Sequence, residues 1–283
     1  MHKVKHVLYI VAFLLVTAGM GLSVWWSIDG EKGADYVVET NVPFAPFEFY
    51  ENREIVGVDV EIVNRVAAKM NKTIQIKNVE FDVIVDNVEA GRIADAGAAG
   101  LTITPARSEK VNFTIPYYDS VQYVIYSNEM PPSLRDDHVV WEALAGSRLG
   151  SQIGSTGYLF IEDEIENGVL TGTGSVLKGI DSHQLAADAI KAHIIDYAVA
   201  DELAAKFIVE KNPGLMALPL YYSGATREED EPVEESYAIA VNKDKTELLE
   251  AFNEVLAEMM TENDEGETEI DRLVLKYMGL SNE

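Results

Sequence analysis

The sequence predicts an α/β protein of two lobes, and three observations carry that prediction. Strand-like apolar runs alternate with helix-period segments; the alternation occurs in two series separated by an extended stretch at residues 121–126; and the 283-residue chain, 47% hydrophobic, has enough apolar material for more than one core.

The first series opens with a strand over Tyr36–Thr40, rich in β-branched and aromatic residues. A helix follows over 59–70, because Ile62, Val63, Val66, Ala67 and Met70 fall on one stripe, and Asp59 is placed to cap it. A strand at 73–76, a helix at 82–90 and a strand at 93–99 complete the series. The second series runs from 121–126 through a strand at 149–153, helices at 156–165 and 182–192, a strand at 194–199 and a helix from 201 to 210. A last strand at 237–241 precedes two amphipathic helices, 245–260 and 267–277, which could belong to either lobe. The acidic stretches 228–235 and 261–269 read as solvated loops, since neither spaces oxygen ligands around a turn glycine as a calcium loop does.

Residues 7–28 carry no formal charge, with His2, Lys3, Lys5 and His6 before them and Asp29 and Glu31 after. That asymmetry predicts a cytoplasmic N-terminus (1–6) and an exported remainder. A helix of 22 residues spans a bilayer, and Trp25 and Trp26 would lie at the outer interface, so a retained transmembrane anchor is expected. The competing reading is a signal peptide whose apolar core ends near Leu15. Either places the rest of the chain at the extracytoplasmic face of the membrane, anchored or released.

Composition removes several function classes. A net charge of −26 repels phosphate backbones, so nucleic acid is not an expected partner. There is no cysteine, hence no disulfide, no thiolate metal site, no cysteine nucleophile and no N-terminal lipidation site. Neither a Walker A loop, a G-x-G-x-x-G turn, a G-x-S-x-G elbow nor an H-E-x-x-H helix occurs, and the five histidines share no ligand spacing. No metal and no cofactor are expected.

What remains suits a zwitterion. Arg107 follows the turn Thr102-Ile103-Thr104-Pro105, where its planar fork could meet a carboxylate or simply form a surface salt bridge. Gly154-Ser155-Thr156-Gly157 lies between a strand and a helix, where it could bind an anion or only cap the helix. Asp201 ends a strand and opens a helix, a place for an ammonium group or, again, for a cap.

In order along the chain, Phe44-Ala45-Pro46-Phe47-Glu48-Phe49, Gly57-Val58-Asp59-Val60-Glu61, Ala99-Gly100-Leu101-Thr102-Ile103-Thr104-Pro105-Ala106-Arg107, residues 111–118, Gly154-Ser155-Thr156-Gly157 and residues 196–201 make a combined pattern. It resembles the polar amino-acid-binding proteins of ABC importers, related in fold to the ligand-binding cores of ionotropic glutamate receptors. The resemblance implies a two-lobed periplasmic-binding-protein fold of type II, with lobe 1 at 34–117 and 238–283, lobe 2 at 122–232, and hinge strands at 117–121 and 233–237. It also implies a free amino acid as ligand and ABC permease subunits as partners. By the same resemblance Arg107 holds the α-carboxylate with Thr102, Ser155 and Thr156; Asp201, the Gly100 carbonyl and the Thr102 hydroxyl hold the α-ammonium group; and Phe44 and Phe81 flank the side chain. Asn41 stands where many relatives carry an aspartate, and Gln152 where some carry a lysine, so a neutral polar or small apolar amino acid is expected. The same fold also supports a cyclohexadienyl-dehydratase-like enzyme or an amino-acid sensor domain, but no general acid is identifiable and only a few residues precede the segment 7–28.

Overall fold

The computed structural model describes residues 33–279. The chain divides into the units Met1–Asp35 and Tyr36–Glu283, and among the described residues the strands and helices belong to the second. The expected anchor or signal segment, 7–28, lies outside the described residues. Among the described residues no helix is long and apolar enough to cross a membrane.

The chain begins with β1 (Tyr36–Thr40), a hairpin of β2 (Phe49–Glu51) and β3 (Glu54–Val56), and α1 (Val58–Met70). It continues through β4 (Ile74–Asn78), α2 (Ile84–Ala90), β5 (Ala96–Thr102), α3 (Pro105–Lys110) and β6 (Asn112–Phe113). Parallel pairing of β1 with both β4 and β5 makes the first sheet, the result expected when strands are joined by helices. All seven residues of β5 are buried, which explains its run of small side chains, Ala96-Gly97-Ala98-Ala99-Gly100. It extends to Thr102, three residues past the expected end, because that composition does not read as a strand.

The long strand β7 (Tyr118–Ser127) leaves this lobe and enters the other. There β8 (Val139–Val140), β9 (Arg148–Gln152), α4 (Thr156–Glu166), β10 (Val176–Ile180), α5 (His183–Lys191), β11 (Tyr197–Asp201), α6 (Glu202–Lys211), β12 (Leu215–Tyr222) and β13 (Glu231–Pro232) follow. β11 and β12 flank β7, both antiparallel. The return strand β14 (Glu234–Val241) pairs with β5 in the first lobe and with β7 over Glu234↔Val121 to Tyr237↔Tyr118. Two lobes are thus joined where β7 and β14 cross.

The C-terminal helices α7 (Thr246–Met259) and α8 (Glu269–Tyr277) join the first lobe, which resolves the two expectations open for them. On α7, Leu248, Ala251, Phe252, Val255, Leu256 and Met259 recur at helical spacing and pack in one core with Ile62, Val63 and Val66 of α1. Burying a side chain such as Phe252 completely is worth about 1.5–3 kcal/mol. The second lobe has its own core around Trp141, Leu149, Ile161 and Val199.

Two expectations are corrected. Asp59 does not cap α1: Gly57 holds the cap position without a side-chain bond, and Asp59 lies inside the first turn, buried, accepting hydrogen bonds from the Tyr117 hydroxyl and the Gly100 N–H. The stretch 228–235 is not all solvated loop, because its last residue belongs to β14 and is buried. Gly57 itself is required. Its φ of 135° is open to glycine, and a Cβ there would come within 2.1 Å of the Phe47 carbonyl oxygen. Gly57→Ala should therefore destabilise the protein by about 1–3 kcal/mol, read as a lower denaturation midpoint in urea; an unchanged midpoint would mean that this turn relaxes freely.

Candidate functional site

Three short segments bring polar groups to the cleft because each lies at the end of a strand, where open α/β sheets present ligand sites. At the end of β5, Gly100 adopts φ +54° and lies so close to Phe44 that a Cβ would meet its ring at 2.5 Å. Past β5, Thr104 caps α3 by accepting the Arg107 N–H, which fixes Arg107 on the first turn of that helix. Past β9, Ser155 caps α4 in the same manner, accepting from the Tyr158 N–H. Past β11, Asp201 is the residue before α6, yet its side chain makes no cap bond; its carboxylate accepts from the Gln122 side chain instead.

One cavity is lined by Asn41, Phe44, Glu48, Phe81, Ala99, Gly100, Gln152, Ser155, Thr156, His183 and Asp201. Of the ten residues expected from the sequence, eight line it. Thr102 and Arg107 stand beside it, both buried. Arg107 donates from Nη1 to the Thr102 carbonyl at 2.7 Å and from Nη2 to the Gly154 carbonyl at 2.8 Å, so one guanidinium bridges both lobes. Its plane lies over the Phe81 ring, 5.7 Å from the centroid. Gln152 donates to Asn41 Oδ1 at 2.8 Å, and Asn41 donates to the Val79 carbonyl, a second bridge across the cleft.

Sequence reasoning missed five groups here. Glu48 is completely buried, and neither carboxylate oxygen has a hydrogen-bond partner among the described residues; burial, and then the nearby Asp59, push its pKa well above the usual carboxylate range. Asp59 itself is raised to about 6 by burial, against the opposing effect of its bonds from Tyr117 and Gly100. His183 packs its ring against Phe44 at 5.7 Å, and burial lowers its pKa to about 4. Gln122 of β7 donates to both Asp201 and Glu235. Glu235 of β14 accepts from the hydroxyls of Thr102 at 2.7 Å and Thr156 at 2.6 Å. Asp201, buried beside Glu235, is held well above the usual range by desolvation and then by that second carboxylate. For Glu48 a signal was present in the Phe44–Phe49 motif; for Glu235 the acidic run around it concealed one.

The sequence profile described as bacterial extracellular solute-binding proteins, family 3, matches residues 36–279. The ABC transporter arginine-binding protein 1 of Escherichia coli K12 is 29% identical over 246 residues, covering 86% of this chain and 91% of that protein. An amino acid ABC transporter substrate-binding protein of Streptococcus pneumoniae, solved with L-arginine bound, superposes with a TM-score of 0.70 at 26% identity, covering 88% of this chain and 96% of that one. An ancestral arginine-binding protein solved with glutamine bound gives a TM-score of 0.67 at 29% identity, over 86% and 97%.

The burial of His183 has a pH signature. Its ring stays neutral in the folded protein down to about pH 4, whereas in the unfolded chain it takes up a proton near its ordinary 6.5. Between those values the unfolded state binds more protons, so the contribution of His183 to stability is complete above about 6.5 and is lost as pH falls. The difference in unfolding free energy between the protein and His183→Gln should shift by about 3 kcal/mol against the histidine protein from pH 6.5 to pH 4. Denaturant titrations across that range check it, and a pH-independent difference would place His183 in contact with water.

Proposed function

From the premise that this chain belongs to the bacterial extracellular solute-binding proteins of family 3, we propose that it captures a free amino acid with a cationic side chain, of the arginine class, and delivers it to an ABC importer. The observation that carries the side-chain class is Glu48. A fully buried carboxylate with both oxygens unpartnered, lining the cavity, is costly unless a cation meets it. A guanidinium would supply parallel donors to those two oxygens and offset the cost of burying the charge. Asn41 and Gln152 add neutral hydrogen-bonding groups to the same cavity.

The expectation of a neutral ligand rested on Asn41 and Gln152 alone and took no account of Glu48. Relatives named for arginine favour the cationic reading; glutamine in the ancestral protein is the ligand that competes with it. At the other end of the ligand, Arg107 and the opening N–H groups of α4 are the proposed receptors of the α-carboxylate, and Asp201 with the Gly100 carbonyl those of the α-ammonium group. The segment 7–28 stays the proposed tether or export signal. We read the site as one of binding without turnover, since Phe44, Phe81 and the zwitterion receptors hold a whole amino acid.

The decisive experiment is a thermal-shift screen of the twenty amino acids, in which a binder raises the midpoint by mass action. L-arginine or L-lysine should give the largest shift, and aromatic product from prephenate or arogenate would instead reopen the dehydratase reading. Glu48→Gln should weaken arginine binding by about 1.5–3 kcal/mol in calorimetry and leave glutamine binding nearly unchanged. Equal losses for both ligands would remove Glu48 from side-chain recognition. Arg107→Ala should weaken either ligand by about 2–5 kcal/mol, and even Arg107→Lys should bind poorly, because a point charge replaces a planar fork. Wild-type affinity in a folded Arg107→Ala protein would sink the clamp.

A further inference from the structure

We infer that Glu235, on the return strand β14, is a positioning residue that turns the hydroxyls of Thr102 and Thr156 into acceptors and so makes this end of the cleft selective for an ammonium group. The inference rests on the amino-acid reading above and deepens it.

A threonine hydroxyl has one proton to donate and two lone pairs to offer. Here Glu235 Oε2 lies 2.7 Å from the Thr102 hydroxyl and 2.6 Å from that of Thr156, one from each lobe, against 3.3 Å between the two hydroxyls, so the shorter, charge-assisted bonds to the carboxylate take both protons. What either oxygen can show to anything else in the cleft is therefore a lone pair. The other oxygen, Oε1, accepts from Gln122 Nε2 at 2.7 Å, and the same nitrogen donates to Asp201 Oδ1. Because both neighbours of that amide are carboxylates, its orientation is decided: the nitrogen must face them. Both amide protons thus go to acids.

The result is a wall of acceptors, Asp201 and Thr156 Oγ1 lining the cavity and Thr102 Oγ1 beside it, with the Glu235 carboxylate behind the two hydroxyls. Such a wall suits three N–H donors and repels a carboxylate. It moves the Thr156 hydroxyl out of the anion clamp in which the family resemblance placed it, and leaves the anion to Arg107 and to backbone N–H groups. Glu235 is buried, and its reach is set by the strand: it pairs with Ser120 across the β7–β14 seam, on the same inward face as Gln122.

Glu235→Gln keeps the shape and breaks this logic. An amide has one accepting and one donating side, so it cannot accept from both hydroxyls and from Gln122 together; at least one proton must turn back into the cleft or Gln122 must reverse against Asp201. The readout is discrimination, measured by calorimetry on the full exported chain with L-arginine and its α-hydroxy acid, which lacks only the ammonium group. The ratio of the two affinities should fall about tenfold or more in Glu235→Gln, the value of a charge-assisted hydrogen bond. An unchanged ratio, with both affinities lowered alike, would show a merely structural role and overturn the inference. If wild-type protein does not bind L-arginine, the cationic-ligand reading fails, and the same pair is measured with the best amino acid of the screen and its α-hydroxy acid. Should Glu235→Gln not fold, the double variant Thr102→Val with Thr156→Val removes both acceptors while keeping the carboxylate, and retained discrimination there overturns the inference equally.

Discussion

The register of the short seam between β7 and β14 is the constraint from which the cleft is built. Side chains alternate along a strand, so fixing Glu235 opposite Ser120 sends Ser120, Gln122, Glu235 and Tyr237 inward and Asp119 and Glu234 outward. A slip of one residue on β7 would exchange Gln122 for Val121 or Tyr123, and Asp201 and Glu235 would lose the amide that donates to both. Among the described residues this seam is also the link between the two halves of the large sheet. If the seam is the hinge that the family resemblance implies, hinge and recognition floor are made of the same backbone, and polar groups on it would move least when lobes rotate.

Burying charge at such a place has a price that the sequence had to meet in pairs. Arg107 is lowered by desolvation and raised by Glu235 and Asp201, two acids that offset part of the cost of burying its charge. Glu48 has no such partner and no side-chain hydrogen bond among the described residues. The excess of acid over base around the cleft, Glu48, Asp59, Asp201 and Glu235 against Arg107, is an imbalance that protons or a cationic ligand must correct. A ligand that supplies both an ammonium and a guanidinium corrects it at two ends at once, whereas a neutral amino acid corrects one.

The fold was legible because its signals were periodic. The stripe of Ile62, Val63, Val66 and Met70 marked α1, and the β-branched run at Tyr36–Thr40 marked β1. β10 and β12 were not anticipated: Val176–Ile180 carries Lys178 and Gly179, and Leu215–Tyr222 carries Pro219, so neither reads as a regular strand. Site residues were legible where they sat in motifs at strand ends, as Gly100, Arg107, Ser155, Thr156 and Asp201 do. They were hidden where tertiary context alone creates the role. Asp59 looks like a cap until Tyr117, 58 residues away, is found donating to it. Glu235 sits in a run of acids, and nothing in local composition marks the one that strand alternation turns inward.

The exterior repeats the interior's sign. A net charge of −26 spread over the surface makes a field that draws cations toward the cleft and slows anions, an effect on encounter rate that weakens with salt. Inside, specificity would be decided by different means, donors and acceptors held in fixed orientation by buried hydrogen bonds. In the proposed reading, the α-carbon end of the ligand would meet groups near the β7–β14 seam and at helix termini, which any amino acid could use. Of the residues lining the cavity, Glu48, Asn41, Gln152 and His183, the proposed side-chain end, lie on neither β7 nor β14. Exchanging residues at that second end would change the ligand class without disturbing the first, since specificity is a difference of affinities set by the groups that differ.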